Sequence, residues 1–202
     1  MSFLKLRTTR RLGWCALVTL TLAPASFAAA DFDYVGAKKC RPCHLKEFNS
    51  WSKTRMAKAF SLLEPGAATD AKAKAKLDPK KDYTTDAKCL PCHTTGYGKP
   101  GGFVSISKTP EMAGIGCEAC HGPGGTYTKK EHMSLQNKEY KKAALVAVGL
   151  VDEVKKEQCV SCHNADSAAT VVVGTRHFFK EFDFEHRKAA DTHPKFPLKY
   201  KH

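Results

Sequence analysis

The 202-residue sequence has no long uninterrupted hydrophobic run, and only 9% of its residues are aromatic. Acidic residues are also in the minority, with 20 Asp and Glu against 33 Lys and Arg, which gives a formal net charge of +13. This charge and a mean hydropathy of -0.40 exclude an integral membrane protein, apart from an N-terminal segment. With 26% charged and 42% hydrophobic residues the chain is not disordered by composition, and its length fits one domain or two small ones.

The first 30 residues have the composition of an export signal. They contain no acid, and four basic residues (Lys5, Arg7, Arg10 and Arg11) come before a short apolar run and small residues that end at Ala30. This order predicts a secretory signal peptide over residues 1–30 and a single mature domain over residues 31–202. The apolar run is too short for the alternative, a membrane anchor, so the mature chain is expected to have no membrane span.

Cysteine is the one residue type in clear excess. Cys15 lies in the predicted signal peptide, and the other eight cysteines form four C-x-x-C-H motifs, numbered 1 to 4 in chain order. Each motif is the attachment pattern of a c-type haem, because two thiols about one helical turn apart reach the two vinyl groups of one porphyrin edge. The predicted covalent attachment residues are Cys40 and Cys43, Cys89 and Cys92, Cys117 and Cys120, and Cys159 and Cys162.

The histidine that ends each motif is expected to lie under the porphyrin as the proximal iron ligand. These four ligands are His44, His93, His121 and His163. Structural zinc, a redox dithiol and a disulfide scaffold are the rival interpretations of paired cysteines. None of them requires a histidine directly after the second cysteine, yet all four motifs have one. The sequence therefore predicts four haem c groups with their iron.

Four haems in the 172 residues after Ala30 leave about 43 residues for each. We therefore expect the haems to pack closely and to form much of the core. The predicted fold is mainly α with long loops and minimal β structure. Helices are expected over residues 37–63, 69–76, 137–148, 152–163 and 179–190, with Thr69 or Asp70 and Asn137 as caps. Short strands are expected at 102–107 and 170–173.

Distal iron ligands decide whether each haem is closed or open. Beyond the motifs, the mature chain offers five histidines and three methionines for this role: His132, His177, His186, His193 and His202, with Met56, Met112 and Met133. If the first helix ran unbroken, Met56 would lie about 18 Å along the axis from His44 and could not reach the same haem.

The motifs and the segments between them resemble the tetrahaem cytochrome c-554 family. The likeness includes Tyr34-Val35-Gly36, Trp51-Ser52-Lys53-Thr54, Gly96-Tyr97-Gly98 and Gly116-Cys117-Glu118, and extends in register over about residues 34–163. The resemblance implies periplasmic electron transfer, closely stacked haem pairs, three haems with two histidine ligands and one five-coordinate haem. It also implies a multihaem electron donor similar to hydroxylamine oxidoreductase.

The resemblance carries distal ligands over to three positions. His132 matches the distal ligand of the motif 1 haem, and His193 best matches that of the motif 3 haem. His93 matches the proximal ligand of the five-coordinate motif 2 haem. Met56 falls where the family has the distal histidine of the motif 4 haem. We expect Met56 to ligate that haem, and the alternative is that Met56 packs in the core and His177 or His186 takes its place.

Charge indicates the kind of partner. Haem propionates largely offset the mature charge, and no aromatic-basic module is present, so nucleic acid binding is not expected. Lysine runs are expected to lie mostly on solvated faces, and some are expected to steer docking to an acidic redox protein. The first interpretation of function is thus a periplasmic, monomeric electron carrier that is not an enzyme. The alternatives are a haem enzyme or gas-binding protein that uses an open haem, and a subunit of an extracellular conductive assembly.

Overall fold

The computed structural model describes residues 32–164, 184–185 and 192–197. The chain divides into two compact units between Ala30 and Asp31, and all the described residues belong to the second unit. The predicted signal peptide lies outside the described residues. So do His177, His186 and His202, and the elements expected at 170–173 and 179–190, apart from the helical pair 184–185.

Short helices joined by long turns form the described part of the chain. The α-helices are α1 (Leu45–Trp51), α2 (Thr69–Lys74), α3 (Leu90–His93), α4 (Cys117–His121), α5 (Lys142–Ala147) and α6 (Lys156–Val160). Single 3₁₀ turns occur at Ala37–Lys39, Phe60–Leu63 and Pro110–Met112. Among these helices none has both the length and the apolar character needed to cross a membrane.

A small apolar core lies beside motif 2. Its buried members are Phe60, Leu63, Tyr83, Leu90, Phe103 and Met112, and Cys89 packs against it. The rings of Phe60 and Phe103 lie 5.3 Å apart at 48°. Aromatic pairs at such a distance and tilt add to the energy of burial, so this cluster anchors the segments that precede and follow motif 2.

The prediction of one helix over residues 37–63 is wrong. A 3₁₀ turn, α1 and a second 3₁₀ turn occupy this range, with irregular turns between them. The helix does not continue because polar groups in this range form hydrogen bonds with a distant segment. Trp51 Nε1 donates to the Ile115 carbonyl at 2.8 Å, and the Ile115 N–H donates to the Met56 carbonyl at 2.9 Å. No continuous helix joins His44 to Met56, so the expected separation of about 18 Å along a helix axis does not apply.

The strand expected at 102–107 is also wrong, since this segment forms no strand. Thr109 Oγ1 accepts the Val104 N–H at 2.8 Å, and the Ser105 carbonyl accepts the N–H groups of Lys108 and Thr109. These local bonds close a turn instead of a ladder. The single β-bridge of the described residues joins Thr94 to Ala113.

The remaining helices exist but are shorter than predicted. The helix expected at 69–76 is α2, whose N-terminal cap is Ala68 without a side-chain cap bond, so neither Thr69 nor Asp70 caps it. Those expected at 137–148 and 152–163 correspond to α5 and α6, and α5 begins after Lys141 rather than Asn137. Asn137 instead donates from Nδ2 to the carbonyls of Glu131 and His132, both at 3.0 Å, and so closes the preceding loop.

Candidate haem sites

All four motifs lie on tight helical turns. Motif 2 coincides with α3 and motif 3 with α4, motif 1 directly precedes α1, and motif 4 overlaps the end of α6. In motifs 1 and 4 the histidine N–H donates to the carbonyl of the first cysteine, at 3.0 Å from His44 and 2.9 Å from His163. Each motif thus presents two thiols and an imidazole from one turn, which is the arrangement that covalent haem attachment requires.

The cysteines of motifs 1 and 3 lie side by side. None of the eight cysteines forms a disulfide. The Cys40 thiol donates a hydrogen bond to the Cys117 sulfur, which raises the pKa of Cys40 and lowers the pKa of Cys117. Thioether formation would remove both protons, so the lasting consequence is the proximity of the two sites. The charge of His44 also reaches His121 and lowers its pKa, after the larger effects of burial and of His193.

Motif 4 links motif 3 to motif 2. Gln158 Nε2 donates to the Cys120 carbonyl at 2.8 Å, and the pKa of Cys120 is raised to about 11, first by burial and then by the charge of Cys159. At the other side of motif 4, a hydrogen bond between Cys92 and Cys162 raises the pKa of Cys92 and lowers that of Cys162 to about 6. In space, the motifs therefore follow one another in the order 1–3–4–2.

The histidine of motif 2 is held by a backbone carbonyl. His93 Nδ1 lies 2.6 Å from the Ala59 carbonyl oxygen. A carbonyl only accepts, so Nδ1 carries the proton and Nε2 is left as the metal-binding nitrogen. Burial lowers the pKa of His93. This favours the neutral imidazole, which is the form that binds a metal.

Two imidazoles face each other at motif 3. The ring centres of His121 and His193 lie 6.1 Å apart, with 30° between the ring planes. Since a metal–imidazole bond is about 2 Å long, two imidazoles on opposite sides of one metal ion have their ring centres about 6 Å apart. His193 Nδ1 lies 2.9 Å from the Pro194 carbonyl, and His121 has a backbone hydrogen bond to Val151, which leaves one nitrogen of each ring for a metal.

His132 and Met56 are the other two residues expected as distal ligands. His132 lines a cavity of about 250 Å³ with Tyr140 and Leu145. Within the described ranges its ring makes no ring contact with His44 of the kind that joins His121 to His193. Met56 is half-buried, and its carbonyl accepts the N–H groups of Ile115 and Ala59.

A close backbone crossing supports the Ala59 carbonyl. Gly114 has φ +85°, and a Cβ there would lie 2.3 Å from the Ala57 carbonyl oxygen. The Gly114 N–H donates to the His93 carbonyl at 3.1 Å. This glycine therefore lets the chain around Ala57 pass directly over the end of α3. Sequence reasoning did not assign the roles of Ala59 and Gly114, because a backbone carbonyl leaves no signal in the side-chain pattern.

These residues fit haem. The thiol pairs share single turns, the His93 and His193 rings have Nδ1 engaged and Nε2 available, and the spacing of His121 and His193 suits one iron between them. A short-helix chain with four such motifs is a multihaem c-type cytochrome, an electron-carrying class of protein.

Comparisons with known proteins identify the family. The family model described as "Cytochrome c554 and c-prime" matches residues 39–122. The curated cytochrome c-554 of Nitrosomonas europaea is 40% identical over 156 residues, which is 75% of this chain and 66% of that protein. The solved reduced state of cytochrome c554 from the same organism superimposes with a TM-score of 0.70 at 34% identity, covering 84% of this chain and 89% of that one.

A more distant relative is the multiheme cytochrome MtrA of Shewanella baltica, 31% identical over 133 residues, or 55% of this chain and 37% of that protein. The chain thus spans just under two thirds of the curated cytochrome c-554 and about a third of the curated MtrA. It belongs to the cytochrome c-554 family. The family resemblance, the mainly helical fold with loops and the complement of four haem c groups with iron are confirmed.

Proposed function

We propose that this protein is a periplasmic electron-transfer protein that passes electrons through four covalently bound haems between redox partner proteins. The observation that carries the proposal is the spatial order of the motifs, 1–3–4–2, in which each attachment site lies beside the next. Bound haem supplies reversible one-electron chemistry at iron. The eight motif cysteines are proposed to hold the haems, and His44, His93, His121 and His163 to be the proximal ligands.

The chain's own contribution is to fix the imidazoles. Ala59 orients His93, and the backbone at Val151 and Pro194 orients His121 and His193. A ligand locked in one tautomer and one orientation reorganises little when the metal changes charge, which suits electron transfer. No substrate-directed acid or base is needed for this role, and we propose that the protein is not an enzyme.

We further propose His193, His132 and Met56 as distal ligands of the motif 3, 1 and 4 haems. The geometry of His121 and His193 supports the first assignment. The other two rest on the family resemblance, with His177 or His186 as the alternatives to Met56. Methionine ligation of the motif 4 haem would raise its potential relative to a bis-histidine haem. In the ferric protein it would also give a near-infrared charge-transfer band at a position different from that of bis-histidine haems, and Met56→Ala would remove it.

Removal of the His193 imidazole should open one haem. The variant His193→Ala should convert one low-spin ferric haem to a high-spin form, because the iron at motif 3 loses its sixth ligand. The reduced variant should then bind one more equivalent of carbon monoxide than the original protein. Electron paramagnetic resonance and carbon monoxide titration measure both effects. The variant His202→Ala, which alters a histidine not proposed as a ligand, is the control, and an identical result for the two variants would contradict the assignment.

One face beside motif 1 suits an acidic partner. Residues 38–58 carry seven Lys and Arg against one acid, Glu47. A groove of about 510 Å³ on this segment is lined by Lys38, Arg41, Pro42, Leu45, Phe48 and Asn49, and Leu45 is 49% exposed. An apolar patch rimmed by cations is the usual form of a docking surface for a negatively charged protein. We propose that an acidic multihaem donor, similar to hydroxylamine oxidoreductase, docks there onto the monomer.

Electron exchange should therefore depend on the charge of this face. Reduction by an acidic flavodoxin should be fast at low salt and slow as ionic strength rises, because electrostatic attraction steers the encounter. Neutralising Lys38, Arg41 and Lys46 to Gln should lower the low-salt rate about tenfold. The matched control neutralises Lys108, Lys129 and Lys130, which lie outside this segment. Stopped-flow absorbance gives the rates, and equal losses in the two variants would exclude this face as the docking site.

A further inference from the structure

A carboxylate is buried inside motif 3. Glu118 is only 2% exposed and lies between Cys117 and Cys120 in α4. Three backbone N–H groups donate to it: Val35 at 3.0 Å to Oε1 and 3.2 Å to Oε2, Gly36 at 2.7 Å to Oε2, and Gly124 at 2.6 Å to Oε1. The carboxyl group acts here only as an acceptor, which is the role of its ionised form.

The Glu118 carboxylate lies between motifs 1 and 3. Val35 and Gly36 lead directly into the 3₁₀ turn before motif 1, so the carboxylate joins motif 1 to motif 3. The pKa of Cys40 is raised first by its hydrogen bond with Cys117 and by burial, and the pKa of Tyr127 is raised first by burial; the Glu118 charge adds a smaller increase to both. Within the described residues no cationic side chain forms an ion pair with it. A buried charge acts over a longer range than a solvated one, because the protein interior and the excluded solvent screen it less.

Motif 2 has a buried charge of the opposite sign. Lys72 is 6% exposed, its Nζ donates to the Glu64 carbonyl, and it lies 5.4 Å from the centre of the Tyr83 ring. Tyr83 belongs to the apolar cluster against which Cys89 packs. Burial and then the charge of Asp86 raise the pKa of Cys89, while the charges of Lys81 and then Lys72 lower it, so the Lys72 charge reaches motif 2. The neighbouring Lys81 Nζ lies 5.2 Å from the centre of the same ring.

We propose that Glu118 and Lys72 are redox-tuning residues of opposite sign. The Glu118 carboxylate lowers the reduction potentials of the haems at motifs 1 and 3, and the Lys72 ammonium raises the potential of the haem at motif 2. One electron from a partner protein reduces each ferric iron to ferrous iron and adds one negative charge to that site. A buried anion opposes this change and a buried cation favours it. The two charges would draw electrons from motif 1 towards motif 2 along the order 1–3–4–2.

The inference rests on the proposed haem attachment, and intact mass tests that attachment separately. Each purified variant is first required to carry four haems by mass, and a missing haem is a failure of the proposed function or of maturation, not of tuning. Optical redox titration of the four-haem protein then gives the potentials. In Glu118→Gln, one or two of the four reduction steps should move to more positive potentials. In Lys72→Met, a different step should move to a more negative potential.

Two further variants distinguish the effect of the Glu118 charge from the effect of a local structural change. Glu118→Asp disturbs the same backbone donors but keeps the charge, so it should shift the potentials less than Glu118→Gln. Glu111→Gln removes the carboxylate of an exposed residue whose side-chain carbons lie beside Gly36, and it should leave the four steps nearly unchanged. Equal shifts in Glu118→Asp and Glu118→Gln, or no shift in Glu118→Gln, would overturn the role of Glu118. If Glu118→Gln does not assemble with four haems, unchanged reduction potentials in Lys72→Met would still overturn the proposal.

Discussion

Replacement of both Cys117 and Cys120 by alanine should leave a protein with three haems, in which the motif 1 haem is separated from the haems of motifs 4 and 2. Motif 3 lies between motif 1 and motif 4 in space, since Cys117 neighbours Cys40 and the Cys120 carbonyl accepts from Gln158. Its loss therefore interrupts the order 1–3–4–2. Intact mass should show the loss of one haem, and electron equilibration between the remaining haems after a laser flash should become biphasic.

The matched variant removes an end of the series instead of its interior. Replacement of Cys89 and Cys92 by alanine should also leave three haems, but motifs 1, 3 and 4 would remain adjacent. Equilibration in that variant should stay as fast as in the original protein. If both double variants slowed equilibration equally, or neither did, the spatial order would not govern electron flow.

Replacement of Gly114 by valine should destabilise the fold by at least about 3 kcal/mol, because left-handed backbone and a steric collision act together. The residue has φ +85°, and its Cβ would lie 2.3 Å from the Ala57 carbonyl oxygen. The displaced segment also carries the Ala59 carbonyl, so the orientation of His93 should be lost with it. Chemical denaturation of the haem-loaded protein, followed by far-UV circular dichroism and Soret absorbance, measures both effects.

Gly98 offers the control for this prediction. It has φ +75°, but a Cβ there would meet nothing within 4 Å. Gly98→Ala should therefore cost only about 1 kcal/mol, from backbone conformation alone. A similar loss of stability in Gly98→Ala and Gly114→Val would show that the collision with the Ala57 carbonyl contributes little.

The haem motifs could be predicted from the sequence because covalent attachment fixes the residue types and their spacing. The thiols and the histidine must come from one turn, and each motif lies on one. Helix lengths could not be predicted in the same way. Ala37 to Leu63 has good helical composition, but Trp51 and Met56 form bonds to Ile115, and long-range bonds of this kind leave no local pattern.

The ligand environment was predictable only in part. The resemblance placed His193 opposite His121, and the two rings do lie together. The Ala59 carbonyl and the backbone donors to Glu118 were not predictable, because any residue supplies a backbone group. The burial of Glu118 was not predictable either, because acidic residues are almost never fully buried unless they are paired.

The pairing of His121 with His193 bears on the order of events while the protein is made. The two residues are 72 positions apart in the sequence, and the later one lies within the last ten residues. Because the chain is synthesised from its N-terminus, motif 3 is complete before His193 has been made. If His193 ligates the motif 3 iron as proposed, that iron site is accessible to small molecules and reductants until the segment that carries His193 has folded against His121.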